Sequence, residues 1–522
     1  MGSLALILHA HLPFVRHPEH EHFLEEDWLF EAITETYIPL LQMMQRLVSD
    51  GVSFKLTMSI TPTLCSMLQD ELLRERYVQH LDLLIDLAQR ERRRNRDHPK
   101  LRELAGFYFD LFSESRRFFV DERKCDLLSA FRELVQTGTL ELIASAATHG
   151  LLPILQQQSP QAARAQVLIG RDVYVDIFGA EPIGFWLPEC AYAPGLESLL
   201  QEASIRWFML DAHGLMFGKP RPLRSIYAPC YTRAGPAIFA RDRDSSRQVW
   251  SAREGYPGDP AYREFYRDAG FDLPMEHLGP IARGQRKFAG VKYHRITGRS
   301  EEKELYDREA AERAAETHAT HFLEQRREQI REISGLGFDP IVVIPFDAEL
   351  FGHWWFEGLR FLEHFIRKAA SERGLRLTTP SDYLAAHPTL QTLQPAASTW
   401  GENGYLSVWL DPSNTWIYPH LHAAARRMSD LAGKHAGHVP LLAECVLKQL
   451  ARELLLAQSS DWAFLMKTGT AREYATNRTM DHLARFNRLH DQFAANDVDE
   501  EFLRDCERRD NAFPNVNWRY YI

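Results

Sequence analysis

No stretch of this chain stays apolar for the ~18 residues that a membrane-spanning helix needs. The opening run at 4–8 is too short for a secretion signal and lacks its basic lead-in. Paired cysteine motifs are missing as well. The six cysteines, at positions 65, 125, 190, 230, 445 and 506, include no CxxC. That pattern speaks against a disulfide framework and suits reduced thiols, so the chain is expected in the cytoplasm. Positive charge is in deficit: the formal net charge is −10, which repels a polyanion on average and argues against nucleic acid as a partner. The densest basic run, residues 90–96, lies inside a helical pattern and reads as a solvated helix face. Internal repeats and low-complexity segments are absent too.

What is present is ordinary globular material, 45% hydrophobic and 25% charged over 522 residues, enough for a large barrel and an accessory domain. Through residue 395, short apolar runs alternate with longer helical patterns, the rhythm of an α/β fold with parallel strands. Strands are expected at 4–8, 54–60, 141–146, 183–187, 206–210, 238–240, 341–344 and 376–378. Polar residues stand just past several of these runs: His9 and His11, Thr148 and His149, Glu189, Asp211 and His213, Asp347 and Glu349. In a (β/α) barrel those carboxyl ends converge on one rim. Residues 68–136 read as a helical insertion with heptad-like Leu81, Leu84 and Leu87, and 396–522 as a C-terminal, nearly all-helical domain.

Three segments suggest chemistry. Gly184-Phe-Trp-Leu-Pro-Glu189 delivers a carboxylate from a strand end beside Trp186 and Tyr192, the pairing of acid and flat apolar surface that glycoside cleavage uses. Such a glutamate serves equally as a surface cap or ion-pair partner. Val342-Val-Ile-Pro-Phe-Asp347-Ala-Glu349 ends a buried run in two carboxylates among aromatics, where a carboxyl pKa rises toward that of a general acid. A core aromatic cluster with one ion pair explains it as well. His9-Ala-His11, with His149 at another strand end, suits either a metal or sugar hydroxyls. His20-Glu-His22 and His420-Leu-His422, in a chain with 22 histidines, make HxH a weak signal. Trp28, Trp250, Trp400, Trp409 and Trp462 lie in irregular or terminal segments that suit a polysaccharide cleft, whereas Trp186 and Trp207 sit inside strands, where core packing is the default.

In order, HAHLP, AATHG, FWLPECAY, PFDAELFGHWWFEG and SSDWAF resemble the signature regions of glycoside hydrolase family 57 from residue 4 to about residue 463. The resemblance is nearest to the family's 1,4-α-glucan branching enzymes and their amylase-named relatives. It implies a (β/α)7 barrel with a helical insertion and a C-terminal helical domain closing over the cleft. It also implies Glu189 as nucleophile and Asp347 as general acid/base of a retaining enzyme. His9, His11 and His149 would line the subsite of the attacked glucose; Trp250, Trp400, Trp409 and Asp461 would shape the cleft. Trp28, His353 and Trp462 are counted with the substrate-binding residues. The family needs no cofactor and no metal. The implied partner is α-1,4-glucan, a neutral polymer that suits the charge balance, and a monomer is compatible with all of this.

The chain departs from the branching members in a shorter loop at 218–236, where Tyr227 or Tyr231 stands for a tyrosine that elsewhere covers the catalytic centre. An α-amylase-type hydrolase with the same carboxylates is therefore the alternative. A metal-dependent polysaccharide deacetylase or a non-catalytic glucan-binding protein follow behind.

Overall fold

The structure is a computed structural model that describes residues 2–251 and 254–522. The strands are β1 (Gly2–Ala10), β2 (Leu56–Ile60), β3 (Leu140–Ser145), β4 (Gly184–Trp186), β5 (Trp207–Leu210), β6 (Cys230–Tyr231), β7 (Ala237–Ala240), β8 (Ile341–Asp347) and β9 (Leu375–Leu377). All pair within one sheet. Parallel neighbours run β7-β5-β4-β3-β2-β1-β8. A parallel bridge between Arg241 and Val343 joins the two ends, and the Asp242 N–H donates to the Val343 carbonyl at 2.8 Å. The result is a seven-stranded (β/α) barrel.

Two strands lie off this ring. The strand expected at 376–378 is β9, and it is no stave of the barrel: it pairs only with Gly2–Leu4 of β1. That edge is free because β2 joins β1 only from Ile7 onward. The two-residue β6, not anticipated from sequence, runs antiparallel to β7.

Strand parity decides what fills the barrel. Ala5 and Ile7 of β1, Ile341 and Val343 of β8, Ile143, Trp186, Trp207, Met209 and Phe239 form one buried cluster, whereas Leu4, Leu6, Leu8, Val342, Ile344 and Phe346 pack outward with the surrounding helices. Side chains alternate along a strand, so the inward row of β1 continues to His9 and that of β8 to Asp347. These two residues are register partners, and His9 is also level with Ser59 on the other side.

The insertion is helical, with Glu71–Arg94 and Pro99–Arg116 followed by a π-turn and Leu127–Gln136. Leu81, Leu84 and Leu87 are buried there. The basic run is largely matched at home: Arg94 pairs with Glu91 and Arg90 with Asp86. Helices Ile417–Lys434, Leu441–Ala457, Ser460–Thr468, Arg472–Ala494 and Glu500–Arg509 make up the C-terminal region. It is stitched to the barrel rim by a Gly150–Ser459 bridge and a Tyr192–Ser398 bridge.

The helix Pro160–Phe178 sets the exit of β3. Gln166 accepts from Ala147 N–H through its carbonyl and from Thr148 N–H through Oε1. This approach requires Gly170, where a Cβ would fall 2.1 Å from the Ser145 carbonyl oxygen. Gly170→Ala is therefore expected to lower stability by about 1–3 kcal/mol, measured by urea unfolding, with His149 displaced as a consequence.

Candidate active site

Glu189 leaves β4 on a tight turn in which Glu189 and Cys190 both take left-handed backbone angles, φ 59° and 47°. Non-glycine residues hold such angles only when their surroundings enforce them. Here the Trp400 N–H donates to the Glu189 carbonyl at 3.1 Å, and the Trp400 indole N–H donates to Glu189 Oε2 at 2.8 Å. The side chain is 17% exposed, with His149 Nδ1 3.7 Å from Oε1. Burial pushes the Glu189 carboxyl up to about 7; the Trp400 bond opposes this and the Asp461 charge adds to it.

Asp347 ends β8 at the mouth of the barrel. Among the described residues its carboxyl has no hydrogen-bond partner. Burial raises its pKa well above the usual range, the negative charges of Glu349 and Glu189 add to the rise, and only Arg241 opposes. Glu349 is tied elsewhere: its Oε1 accepts from Tyr37 Oη at 2.5 Å and from His11 N–H at 3.1 Å.

The histidines form a stacked array. His9 lies 4.3 Å from Trp186, centroid to centroid, at 7°, and His11 stacks on His149 at 4.0 Å. All six ring nitrogens have partners. His9 Nδ1 meets Ser59 Oγ and His9 Nε2 meets His149 Nε2, at 3.3 and 3.1 Å. His149 Nδ1 meets Ser460 Oγ at 2.9 Å. His11 Nδ1 meets Thr61 Oγ1 at 3.0 Å, and Nε2 meets Asp461 at 3.0 Å. Burial alone would raise Asp461, but the His11 charge and hydrogen bond take it down to about 2. Burial lowers His11, and Asp461 more than reverses this. Ligand atoms of the three histidines lie within 4.8 Å of one another, near enough to share a cation. An ion held by His9 Nε2 and His149 Nε2 would replace their mutual contact, and at His11 it would compete with Asp461 or Thr61.

The expected site residues divide. His9, His11, His149, Glu189, Asp347, Trp400 and Asp461 meet at the mouth. Trp250, 37% exposed, stands edge-on to Trp400 at 6.3 Å, and the two border a cavity of about 580 Å³ that Arg241 and Asp211 also line. A larger depression of about 810 Å³ lies between outer helices, bordered by Gln42, Phe107 and Arg360, and holds none of these residues.

Trp409 and Trp462 are not cleft residues. Trp409 is 1% exposed and packs beneath Gly401, so it supports the Trp400 loop from below. Trp462 is fully buried and donates its indole N–H to the Leu456 carbonyl. Both lie in segments that fold back onto helices, so their large apolar rings end in the core. Trp28 is half-buried, edge-on to Tyr474 at 5.8 Å. His353 pairs with Glu35 at 2.6 Å rather than with Asp347.

Sequence reading missed Arg241, Ser460 and Tyr37. Arg241 follows β7, where the rim rule would have found it; its guanidinium lies over Trp400 at 5.6 Å. Asp211 and His213, noted at the rim, fasten a loop: His213 Nε2 is 2.8 Å from the Gly404 carbonyl oxygen, and Asp211 holds Arg243.

Two partly buried carboxyls on separate staves, both held above the usual carboxylate range, are what an acid–base enzyme on a parallel barrel requires. Residues 5–394 match Glycosyl hydrolase family 57, and the chain belongs to that family. Residues 420–521 match 1,4-alpha-glucan branching enzyme, C-terminal. The chain is 34% identical to a 1,4-alpha-glucan branching enzyme of Thermococcus kodakarensis over 99% of its own length and 78% of that protein. Among solved structures, the alpha-amylase AmyC from Thermotoga maritima is 44% identical with a TM-score of 0.94, covering 100% of this chain and 99% of that one. A GH57-type branching enzyme from Pyrococcus horikoshii is 35% identical with a TM-score of 0.90, covering 100% and 97%.

Because the folded pKa of Glu189 lies above the ordinary 4.5, the folded state keeps a proton that the unfolded chain has lost. Stability falls as pH rises through that window, up to about 7. Glu189→Gln removes the buried charge and is expected to be more stable than the parent at pH 8 by on the order of 2–3 kcal/mol, with no gain at pH 4. Chemical unfolding at the two pH values checks this.

Proposed function

We propose that the chain is a retaining 1,4-α-glucan branching enzyme acting on amylose-like and glycogen-like chains. The observation that carries the proposal is the joining of the two family segments at one site: Ser460 and Asp461, from the segment that matches the branching-enzyme C-terminal family, hold His149 and His11 beside Glu189.

Glu189 is the nucleophile and Asp347 the general acid/base. The Trp400 indole hydrogen bond favours the Glu189 anion, whereas burial and the negative charges of Glu349 and Glu189 favour the protonated form of Asp347. Glu189 attacks the anomeric carbon while Asp347 protonates the departing glycosidic oxygen, leaving a glycosyl ester and a shortened chain. The Asp347 carboxylate then takes the proton from a 6-hydroxyl of an acceptor glucan. That oxygen displaces Glu189 at the anomeric carbon, restoring the original configuration in an α-1,6 linkage. His9, His11 and His149 present a polar, stacked wall to the sugar, and Trp250 and Trp400 a flat apolar one. The six free cysteines suit a reducing, cytoplasmic setting.

One observation favours the hydrolytic alternative. Neither tyrosine of the short loop covers the site. The Tyr227 carbonyl accepts from Ile341 N–H at the start of β8, and Tyr231 pairs with Ala237 at the start of β7. Both therefore sit at the amino-terminal end of the barrel, and water is not excluded by them. The deacetylase alternative would need the His9 and His11 nitrogens for a metal, where His11 Nε2 pairs with Asp461 and His9 Nε2 with His149.

Incubation with amylose is expected to give α-1,6 anomeric proton signals and falling iodine colour with few new reducing ends. Reducing ends rising in step with cleavage, with no α-1,6 signal, would establish hydrolysis instead. Trp400→Phe loses the hydrogen bond that favours the Glu189 anion. Its acidic limb of kcat against pH should move upward, and kcat should fall about tenfold or more.

A further inference from the structure

The loop that carries Asp347 goes on to place an aromatic patch in solvent that the mechanism above leaves unused. Trp354 is 55% exposed, yet its backbone N–H is fixed on the Glu349 carbonyl at 3.1 Å. One face of its indole is covered by Phe265, 4.6 Å away at 28°, and Tyr266 next to it is 75% exposed. His353 stands edge-on to both Phe265 and Trp354, at 5.4 and 5.1 Å, with its Nδ1 committed to Glu35.

Beside His353 lies Glu31, on the short helix Glu26–Ala32 that also carries Trp28 three residues earlier. Among the described residues, no hydrogen bond or ion pair reaches the Glu31 carboxyl. Its charged neighbours are His353, Lys292, Glu35 and Asp27, and burial pushes it up to about 7. Lys292 is itself committed to Asp268 at 3.0 Å. A rigid exposed ring bordered by an unpartnered carboxyl and an imidazole is the chemistry that recognises a pyranose: the ring packs on the C–H face and the polar groups take hydroxyls. It is poorly suited to a protein partner, since the polar groups would be left unpaired against apolar surface.

Resting on the branching reading above, we propose that Trp354, Phe265, Tyr266, His353 and Glu31 form a subsite for the acceptor glucan. Trp354 stands on the loop that begins at Asp347, the residue that takes the acceptor's proton, and is tied back to that loop through the Glu349 carbonyl. An acceptor held there competes with water by position, because oriented groups reach effective molarities of ~10⁵ M or more.

The test separates this subsite from the branching reading. In a Glu189→Gln background, maltoheptaose affinity is measured by calorimetry for the parent and for Trp354→Ala, Trp354→Phe and Glu31→Ala. Loss of the ring or the carboxyl is expected to weaken binding by about five- to tenfold, with Trp354→Phe retaining most of it. In the Glu189-intact enzyme, Trp354→Ala should lower the ratio of new α-1,6 linkages to new reducing ends. Unchanged affinity in both Trp354→Ala and Glu31→Ala, each folded by near-ultraviolet circular dichroism, would overturn the subsite. If the parent forms no α-1,6 linkage while these variants still lose affinity, the subsite stands as a glucan site and the branching reading falls.

Discussion

Everything at the barrel mouth follows from withdrawing four carboxyls, Glu189, Asp347, Glu349 and Asp461, largely from water. Desolvation alone drives all of them toward the neutral form. Each is relieved to a different extent. Asp461 gains His11 and stays ionised, Glu349 gains a phenol and an N–H, and Glu189 gains the Trp400 indole. Asp347 gains none of these, and burial with the charges of Glu349 and Glu189 favours its protonated form. One physical penalty, unevenly relieved, gives these carboxyls different surroundings.

The relief comes largely from far along the chain. Trp400, Ser460 and Asp461 reach Glu189, His149 and His11, just past β4, β3 and β1, across hundreds of positions, so the C-terminal region contributes contacts to the site. That region carries its own buried ionic cluster. His482 Nδ1 lies 2.7 Å from Glu453, and Arg485 and Arg478 reach Asp510. The cluster ties the helices Leu441–Ala457 and Arg472–Ala494 to the chain beyond Glu500–Arg509. Buried charges of this kind add little net stability, but removing one partner is costly. They therefore fix how these helices meet, and with that the position of the Asp461 helix over His11.

In the mechanism proposed above, water and a sugar hydroxyl compete for the same glycosyl ester, and the fold bears on that competition in two places. The 218–236 segment takes Tyr227 and Tyr231 to the amino-terminal end of the barrel, away from the mouth. The Asp347 loop, by contrast, extends a rigid aromatic surface outward. The first favours hydrolysis and the second transfer. The balance is set by loop lengths and exposed rings, since both outcomes use the same carboxyl pair.

By itself the sequence determined the barrel staves, because most strands buried on both faces are near-continuous apolar runs, and such a run is a local property. It also determined that His9 and Asp347 face the mouth, since alternation along β1 and β8 is a matter of counting. The strength of the family motifs made Glu189 and Asp347 legible as a pair. Tertiary structure alone decided which tryptophans border the cleft: Trp400 and Trp409 look alike in sequence, but the loop folds back so that one meets Glu189 and the other lies under Gly401. It likewise decided that Leu375–Leu377 is a side branch, because the free edge of β1 depends on where β2 begins. The direction in which each carboxyl shifts was decided there too. Burial and hydrogen bonding are sums over neighbours brought together by the whole chain, and no local pattern encodes them.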